Sequence, residues 1–569
     1  MFRSSLHIWR RRLPCWLATG RLTPGTTKAA HTLRREGDDL LSEWETPTPV
    51  QHNLGPLVLQ SASRWSHHTA LECGVTGEKV TYASLQDSAL RWGGALQRAG
   101  VGRGQVVALM MLNSPNFAIA FLGSKLSGAI VSPMNPTFTP GEVSRQISDS
   151  GAKVLVVDSI LESVAAAGIA DLQTPPQLYV VGNSKDARPD FLQIIRDTNT
   201  PFADVTHAEE EEGTSVLMYS SGTSGPPKGA PISSTALRAN LPAVFHPEVF
   251  PYAPTTAETQ ETVMGLMPFF HAYGVYVVLC MSMMVGAKVV TLPQFLPDVF
   301  IATITKHKIG VLHLVPPLLQ FLVGHPLVTP AHLASVRLAM CTSAPCSPHT
   351  AHALKEKAPN PVFFQEAYGM TETMPTHYTP LDQEKIGSCG TLLAGVKARV
   401  MDPTSGLPLP SDQPGELWIK SSGIITGYHN NLEATQETIT QDGWLKTGDV
   451  AKYDDEGFFY IVDRIKELIK VKGHQVSPAE LEDELLQHQG VAEAGVVGVS
   501  DTRAGEVPRA YVVKKDPNLT EEDLVTFLAG RLAPHKHLAG GVHFIDQLPK
   551  NVTGKILRRE LKNLAAVSD

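Results

Sequence analysis

The chain has 569 residues, 43% hydrophobic and 18% charged, with 46 glycines scattered without a period. This excludes disordered, collagen-like and coiled-coil chains and leaves room for a large core plus at least one further domain. The net charge of −8 argues against general nucleic-acid binding, which draws on clustered Lys and Arg, while a local basic site stays compatible.

The first 35 residues differ in kind. Arg3, Arg10, Arg11, Arg12, Arg21, Lys28, Arg34 and Arg35 stand among Ser, Thr and apolar residues, with no acid before Glu36. Taking those eight positive charges from the net −8 leaves the rest of the chain at −16. An Arg-rich, acid-free leader without a long apolar centre reads as a mitochondrial transit peptide, the alternative being a basic tail on a cytoplasmic protein. From about residue 50, apolar runs alternate with helix-like stretches: Val106 to Leu112, Ala129 to Pro133, Val154 to Val157, Leu178 to Val181, Lys288 to Leu292 and Val311 to Val315. This rhythm predicts βα units and mostly parallel sheets buried on both faces. The most apolar stretch, within Val275 to Val290, is too short to span a bilayer. Six cysteines, at 15, 73, 280, 341, 346 and 389, form no CxxC pair and have no His at zinc spacing, which points to a reducing compartment.

Past Asp463 the texture becomes shorter and more charged, with strand-like Ala494 to Val499 and Arg509 to Val513 and a helix-like Glu521 to Leu532. The expected architecture is α/β: a leader at 1–35, a large domain of mostly parallel sheets with helices at 36–462, and a small mobile α+β domain at 463–569, joined by a tight hinge. Ser477, Pro478 and Glu480 read as an N-cap, a first-turn Pro and a capping-box Glu.

One local signal carries chemistry by itself. The β-type run Val216 to Tyr219 feeds Ser220, Ser221, Gly222, Thr223, Ser224 and Gly225, then Pro226, Pro227 and Lys228. Glycines let backbone N–H groups approach an anion, hydroxyls add donors and a lysine adds a point charge, which together make a phosphate-gripping loop. It is not a Walker loop, because Gly229 stands where a Ser or Thr would be needed for magnesium. A plain surface turn is the alternative.

Six segments in order resemble the adenylate-forming superfamily of acyl-CoA synthetases, 4-coumarate–CoA ligases and beetle luciferases: YSSGTSGPPKG at 219–229, PFFHAYG at 268–274, YGMTET at 368–373, DGWLKTGDV at 442–450, VDRIKELIKVKGHQVSPAELE at 462–482 and PKNVTGKILRREL at 549–561. The resemblance spans about 45–565. It implies that Asp449 accepts the ribose hydroxyls, where an Asp beside Gly448 would otherwise cap its own turn. It places Tyr368 against adenine, Thr371 on a phosphate oxygen and Glu372 on Mg²⁺, where a Thr-Glu pair alone reads as a helix start. His271, which could equally be a satisfied core histidine, would donate to the acyl carboxylate. Tyr273, Thr342, Ser343 and Ala344 would line the acyl pocket, with Thr342 and Ser343 standing where the family pattern is glycine-rich. Arg464 would pair with Asp449 or the ribose, Lys466 would be the hinge, and Lys555 would bridge carboxylate and α-phosphate during adenylation. Lys470, Gly473 and His474 lie on the opposite, CoA-binding face.

The resemblance therefore implies a 4-coumarate–CoA ligase-like acid–CoA ligase using ATP, Mg²⁺ and CoA on an aryl or medium- to long-chain acid. A luciferase-type monooxygenase and a catalytically silent nucleotide-binding protein are the alternatives. Neither the acid nor the oligomeric state is legible.

Overall fold

The structure, a computed structural model, describes residues 33–209, 213–220, 227–253, 255–472, 474–501, 503–551 and 554–568. The leader reading falls outside these residues up to position 32. Arg34–Glu36 is a strand paired antiparallel with Asp39–Leu41, so a leader ending at 35 would cut through the folded body.

The predicted runs are strands. Val106–Met110, Ile130–Pro133, Val154–Asp158 and Gln177–Val181 lie parallel to one another in one six-stranded sheet, with the antiparallel hairpin Thr214–Ser220 and Lys228–Ser233 along one edge. A second sheet sets Thr69–Cys73, Lys288–Thr291, Thr262–Gly265, Val311–Leu314, Leu338–Cys341 and Phe363–Met370 side by side and parallel, with antiparallel strands at both edges. These strands read as continuous apolar runs because helices cover both faces. Helix Pro115–Leu126 is buried at every residue except Asn116, as expected of a helix apolar all round. A Cβ on its Gly123 would stand 2.6 Å from the Ala89 carbonyl of the neighbouring helix, so glycine is what allows that approach.

The last part of the large domain departs from the mostly parallel pattern. Lys397–Met401, Gly415–Lys420, Leu445–Tyr453 and Phe459–Arg464 join Asp39–Leu41 and Arg34–Glu36 in a third, wholly antiparallel sheet. The alternating burial of Gly415–Lys420 is the signature of an antiparallel strand with one covered face.

Strand Phe459–Arg464 still belongs to the large domain, and Ile469–Val471 already belongs to the small one, which leaves 465–468 as the junction and places the exposed Lys466 in it. The small domain has its own five-stranded sheet and its own core, distinct from the large one. Ser477 caps helix Pro478–Leu486, accepting from Glu480 N at 3.3 Å, but Glu480 does not complete the capping box. Its carboxylate turns to Lys536 Nζ at 2.5 Å, and Ser477 Oγ donates instead to Asp463 Oδ2 at 2.7 Å.

The final helix, Arg558–Ser568, seals this core: Leu561 is fully buried, and a Cβ on Gly495 would stand 3.0 Å from its side chain. Leu561→Ala should lower the small domain's stability by about 2–5 kcal/mol through the cavity it leaves. Denaturant unfolding checks this, with the large domain's transition expected to stay in place.

Candidate active site

Ligands of open α/β sheets sit beyond the carboxyl ends of the strands, and that is where the singled-out residues gather. Ser220 and Lys228 are paired across the edge hairpin. Ser221, Gly222, Thr223, Ser224 and Gly225 themselves lie outside the described residues. The Lys228 ammonium stands over the Tyr428 ring, 5.2 Å from its centroid.

Thr371 and Glu372, both buried, occupy the turn between strands Phe363–Met370 and Met374–Tyr378 and start no helix. Tyr428 Oη donates to Glu372 Oε1 at 2.8 Å. On the strand before that turn, Tyr368 Oη donates to Asp449 Oδ2 at 2.7 Å, and Arg464 Nε donates to Asp449 Oδ1 at 3.0 Å. Asp449 and Arg464 are direct partners on adjacent antiparallel strands, and the Asp449 carboxylate does not cap its own turn. Burial pushes the Asp449 carboxyl up, against the opposing pull of Arg464 and Tyr368.

Lys555 arrives from the small domain. The Gly554 turn before it packs on Val315 and Pro317 of the large domain, where a Cβ would stand 3.2 Å from the Pro317 ring. Between the domains lies a cavity of about 230 Å³ whose lining includes Tyr368, Asp449, Arg464, Lys555, Ser343 and Ala344. Burial and neighbouring Arg464 lower the Lys555 proton affinity, with Glu467 and Asp449 opposing. Ser343 holds φ at 75°, a conformation natural to glycine, which explains why glycine suits this loop and marks Ser343 as strained by about 1–2 kcal/mol.

His271, Tyr273, Thr342, Lys228, Thr371 and Glu372 stand outside the lining of that cavity. His271 accepts from Tyr273 N at Nδ1 (3.3 Å), and burial lowers its pKa, so the ring is neutral with its proton on Nε2, ready to donate. The Tyr273 phenol is hydrogen-bonded to His313 Nδ1 at 2.6 Å, and His313 Nε2 is hydrogen-bonded to Tyr252. Burial drives His313 down to about 3, so this imidazole is also neutral and donates to one phenol while accepting from the other. Thr342 Oγ1 is buried with no hydrogen-bond partner among the described residues. Lys470 and His474 face outward on a separate strand pair, where the His474 ring stacks on His535 at 4.5 Å; Gly473 between them is outside the described residues. The structure therefore brings the Lys555 face to the large domain and leaves the Lys470–His474 face away from it.

Several site residues were not legible in the sequence. Asn113 is buried, donates from Nδ2 to the carbonyls of Gly265, Leu266 and Met267 at 3.1, 3.2 and 2.8 Å, and accepts from Phe269 N at 2.8 Å. It thereby fixes the segment leading to His271. Glu366, two positions before Tyr368 and so on the same strand face, also lines the cavity and accepts from Gly387 N at 2.7 Å. Burial raises its carboxyl from the ordinary 4.5 to about 8. Because the folded pKa lies above the unfolded one, its contribution to stability is intact below pH 4.5 and is lost as pH rises to about 8. Glu366→Gln should flatten that decline, which is read as the difference between wild-type and variant unfolding free energies across this window.

The family model for AMP-binding enzymes matches residues 58–429, and that for the AMP-binding enzyme C-terminal domain matches residues 480–555. The chain is 35% identical over 499 residues to 4-coumarate–CoA ligase 3 of Oryza sativa subsp. japonica, covering 86% of this chain and 88% of that protein. It is 34% identical over 529 residues to 4-coumarate–CoA ligase-like 1 of Arabidopsis thaliana, covering 91% and 95%. Among solved structures, the anthranilate CoA ligase AuaEII in complex with anthranoyl-AMP superposes with a TM-score of 0.82 at 26% identity, over 92% of this chain and 98% of that one. ATP-bound MatB from Rhodopseudomonas palustris gives 0.79 at 28% identity, over 90% and 99%.

Proposed function

Because the chain belongs to the AMP-binding enzyme family and is an AMP-forming acid–CoA ligase, we propose that it activates an aryl or medium- to long-chain carboxylic acid in two half-reactions. The acid's carboxylate attacks the α-phosphate of ATP to give an acyl adenylate and pyrophosphate. The CoA thiolate then displaces AMP to give the thioester. The observation that carries this reading is the cavity shared by Tyr368, Asp449, Arg464 and the small domain's Lys555.

A carboxylate and a phosphate about 4 Å apart repel by about 4 kcal/mol per charge pair at an effective dielectric near 20, so the first step needs a cation between them. Lys555 supplies it from a domain that can leave afterwards. Asp449 can accept the ribose hydroxyls, and Tyr368 offers a ring face to the base. Glu366 offers a carboxyl that stays protonated near neutral pH and can pair with the base's edge. Glu372 fits Mg²⁺: it is a buried hard carboxylate whose Oε2 has no hydrogen-bond donor among the described residues. No cluster of three or more ligating side chains exists among the described residues, which suits a metal held mainly by substrate phosphates. That metal would neutralise charge on the triphosphate. Support for the aryl end of the substrate range comes from the 4-coumarate–CoA ligase relatives and from the AuaEII complex.

Lys555→Ala should slow pyrophosphate formation from acid and ATP by about 10² to 10³ while still converting supplied acyl adenylate and CoA to thioester. Equal loss in both half-reactions would overturn the role given to Lys555. A panel of aryl and fatty acids, scored for CoA-dependent AMP release, identifies the acid. The acid-free basic leader supports a mitochondrial address. A full-length fluorescent fusion should reach mitochondria and one lacking residues 2–32 should not; a full-length fusion found elsewhere overturns that address.

A further inference from the structure

One short segment touches both anion-handling arms of the site. Ile425 N donates to the Glu372 carbonyl at 2.9 Å, and four residues on, His429 N donates to the Gly229 carbonyl at 2.8 Å, next to Lys228. Between them, Tyr428 Oη donates to Glu372 Oε1 at 2.8 Å while the Lys228 ammonium lies over its ring at 5.2 Å. The segment is itself anchored, since Tyr428 N donates to Thr435 Oγ1 at 2.8 Å and Asn431 caps the helix Leu432–Thr438 that carries Thr435. Among the described residues, Lys228 and Glu372 each meet Tyr428 and no ion pair joins them.

An ammonium and a carboxylate brought into one buried region pair with each other unless something stands between them, and a paired Lys and Glu have less charge to offer a ligand. A phenol is suited to prevent this. Its hydroxyl holds one carboxylate oxygen and leaves the other free, and its ring face attracts the cation without neutralising it.

We propose that Tyr428 is a positioning residue that holds Glu372 toward the metal and Lys228 toward the triphosphate while keeping the two from pairing. This rests on the reading of Glu372 as the metal carboxylate and Lys228 as a phosphate cation. Partners of metal ligands typically change metal affinity by about 10- to 100-fold when removed. Tyr428→Phe keeps the ring and loses the hydroxyl. It should weaken Mn²⁺ binding to the enzyme·ATP complex, followed by electron paramagnetic resonance, by about tenfold and shift the Mg²⁺ dependence of pyrophosphate formation to match. Binding of ATP in EDTA should change by less than about twofold, because the cation–ring contact survives. Tyr428→Leu loses both and should also weaken metal-free ATP by about two- to fivefold.

Thermal melting reports whether each variant is folded, and Glu372→Gln supplies a second route to the same answer. If Tyr428 acts through Glu372, Glu372→Gln with Tyr428→Phe should bind Mn²⁺ no worse than Glu372→Gln alone. A lower melting temperature in Tyr428→Phe with wild-type Mn²⁺ affinity would make the contact structural and overturn the proposal, as would additive losses in the double variant. Wild-type Mn²⁺ affinity in Glu372→Gln would overturn the metal reading of Glu372 together with it, so the two failures are distinguishable.

Discussion

Asp449 is a carboxylate at 4% exposure, a position that by itself favours the neutral acid. What opposes that is Arg464, directly across the antiparallel ladder, with the Tyr368 hydroxyl on the other oxygen. Arg464 is also the last residue of the last strand of the large domain. One position earlier, Asp463 also lines the cavity and accepts from Ser477 Oγ and Ala479 N at the start of a small-domain helix. Two adjacent residues therefore fasten the Asp449 pair and the second domain to the same strand end.

The two cores remain separate. A small domain with its own sheet, buried Leu481, Leu485 and Leu561, and an ion pair between Arg558 and Glu482 at 2.7 Å can change what it faces without unfolding. Its contact at the Gly554 turn is with Val315 and Pro317, at the carboxyl end of a central parallel strand. Such strand ends are fixed by buried pairing on both sides, which gives the Gly554 turn a rigid seat.

The parts of this architecture legible in the sequence are those with a one-dimensional signature. Val154–Asp158 and Lys288–Thr291 are apolar runs because both faces are buried, and the segment at 219–229 declares itself through glycine and hydroxyl density. The motifs shared with the family located Tyr368, Asp449, Arg464 and Lys555, which converge on one cavity. Partners from distant positions left no such trace. Tyr252 and Tyr273 meet His313 across 61 and 40 residues of chain, and Tyr428 meets Glu372 across 56. The capping-box reading of Glu480 failed for a related reason: Lys536, 56 residues on, competes for its carboxylate, and Asp463 competes for the capping hydroxyl. The antiparallel third sheet was missed because alternation over six residues, as in Gly415–Lys420, is a weaker signal than an unbroken apolar run.

The hydrogen bonds from Ser477 and Ala479 to Asp463 cross the junction at 465–468, so they also set a tempo. A rotation of the small domain about those residues would have to open both, together with the contact of Ser477 Oγ to the Val462 carbonyl at 3.1 Å. A hydrogen bond to a charged group is worth about 1.5–3 kcal/mol, which corresponds to a dwell time longer by about one to two powers of ten for each bond that has to open first. Any such rotation is therefore slowed relative to a junction without these bonds, by contacts gathered at one strand end and the first turn of one helix.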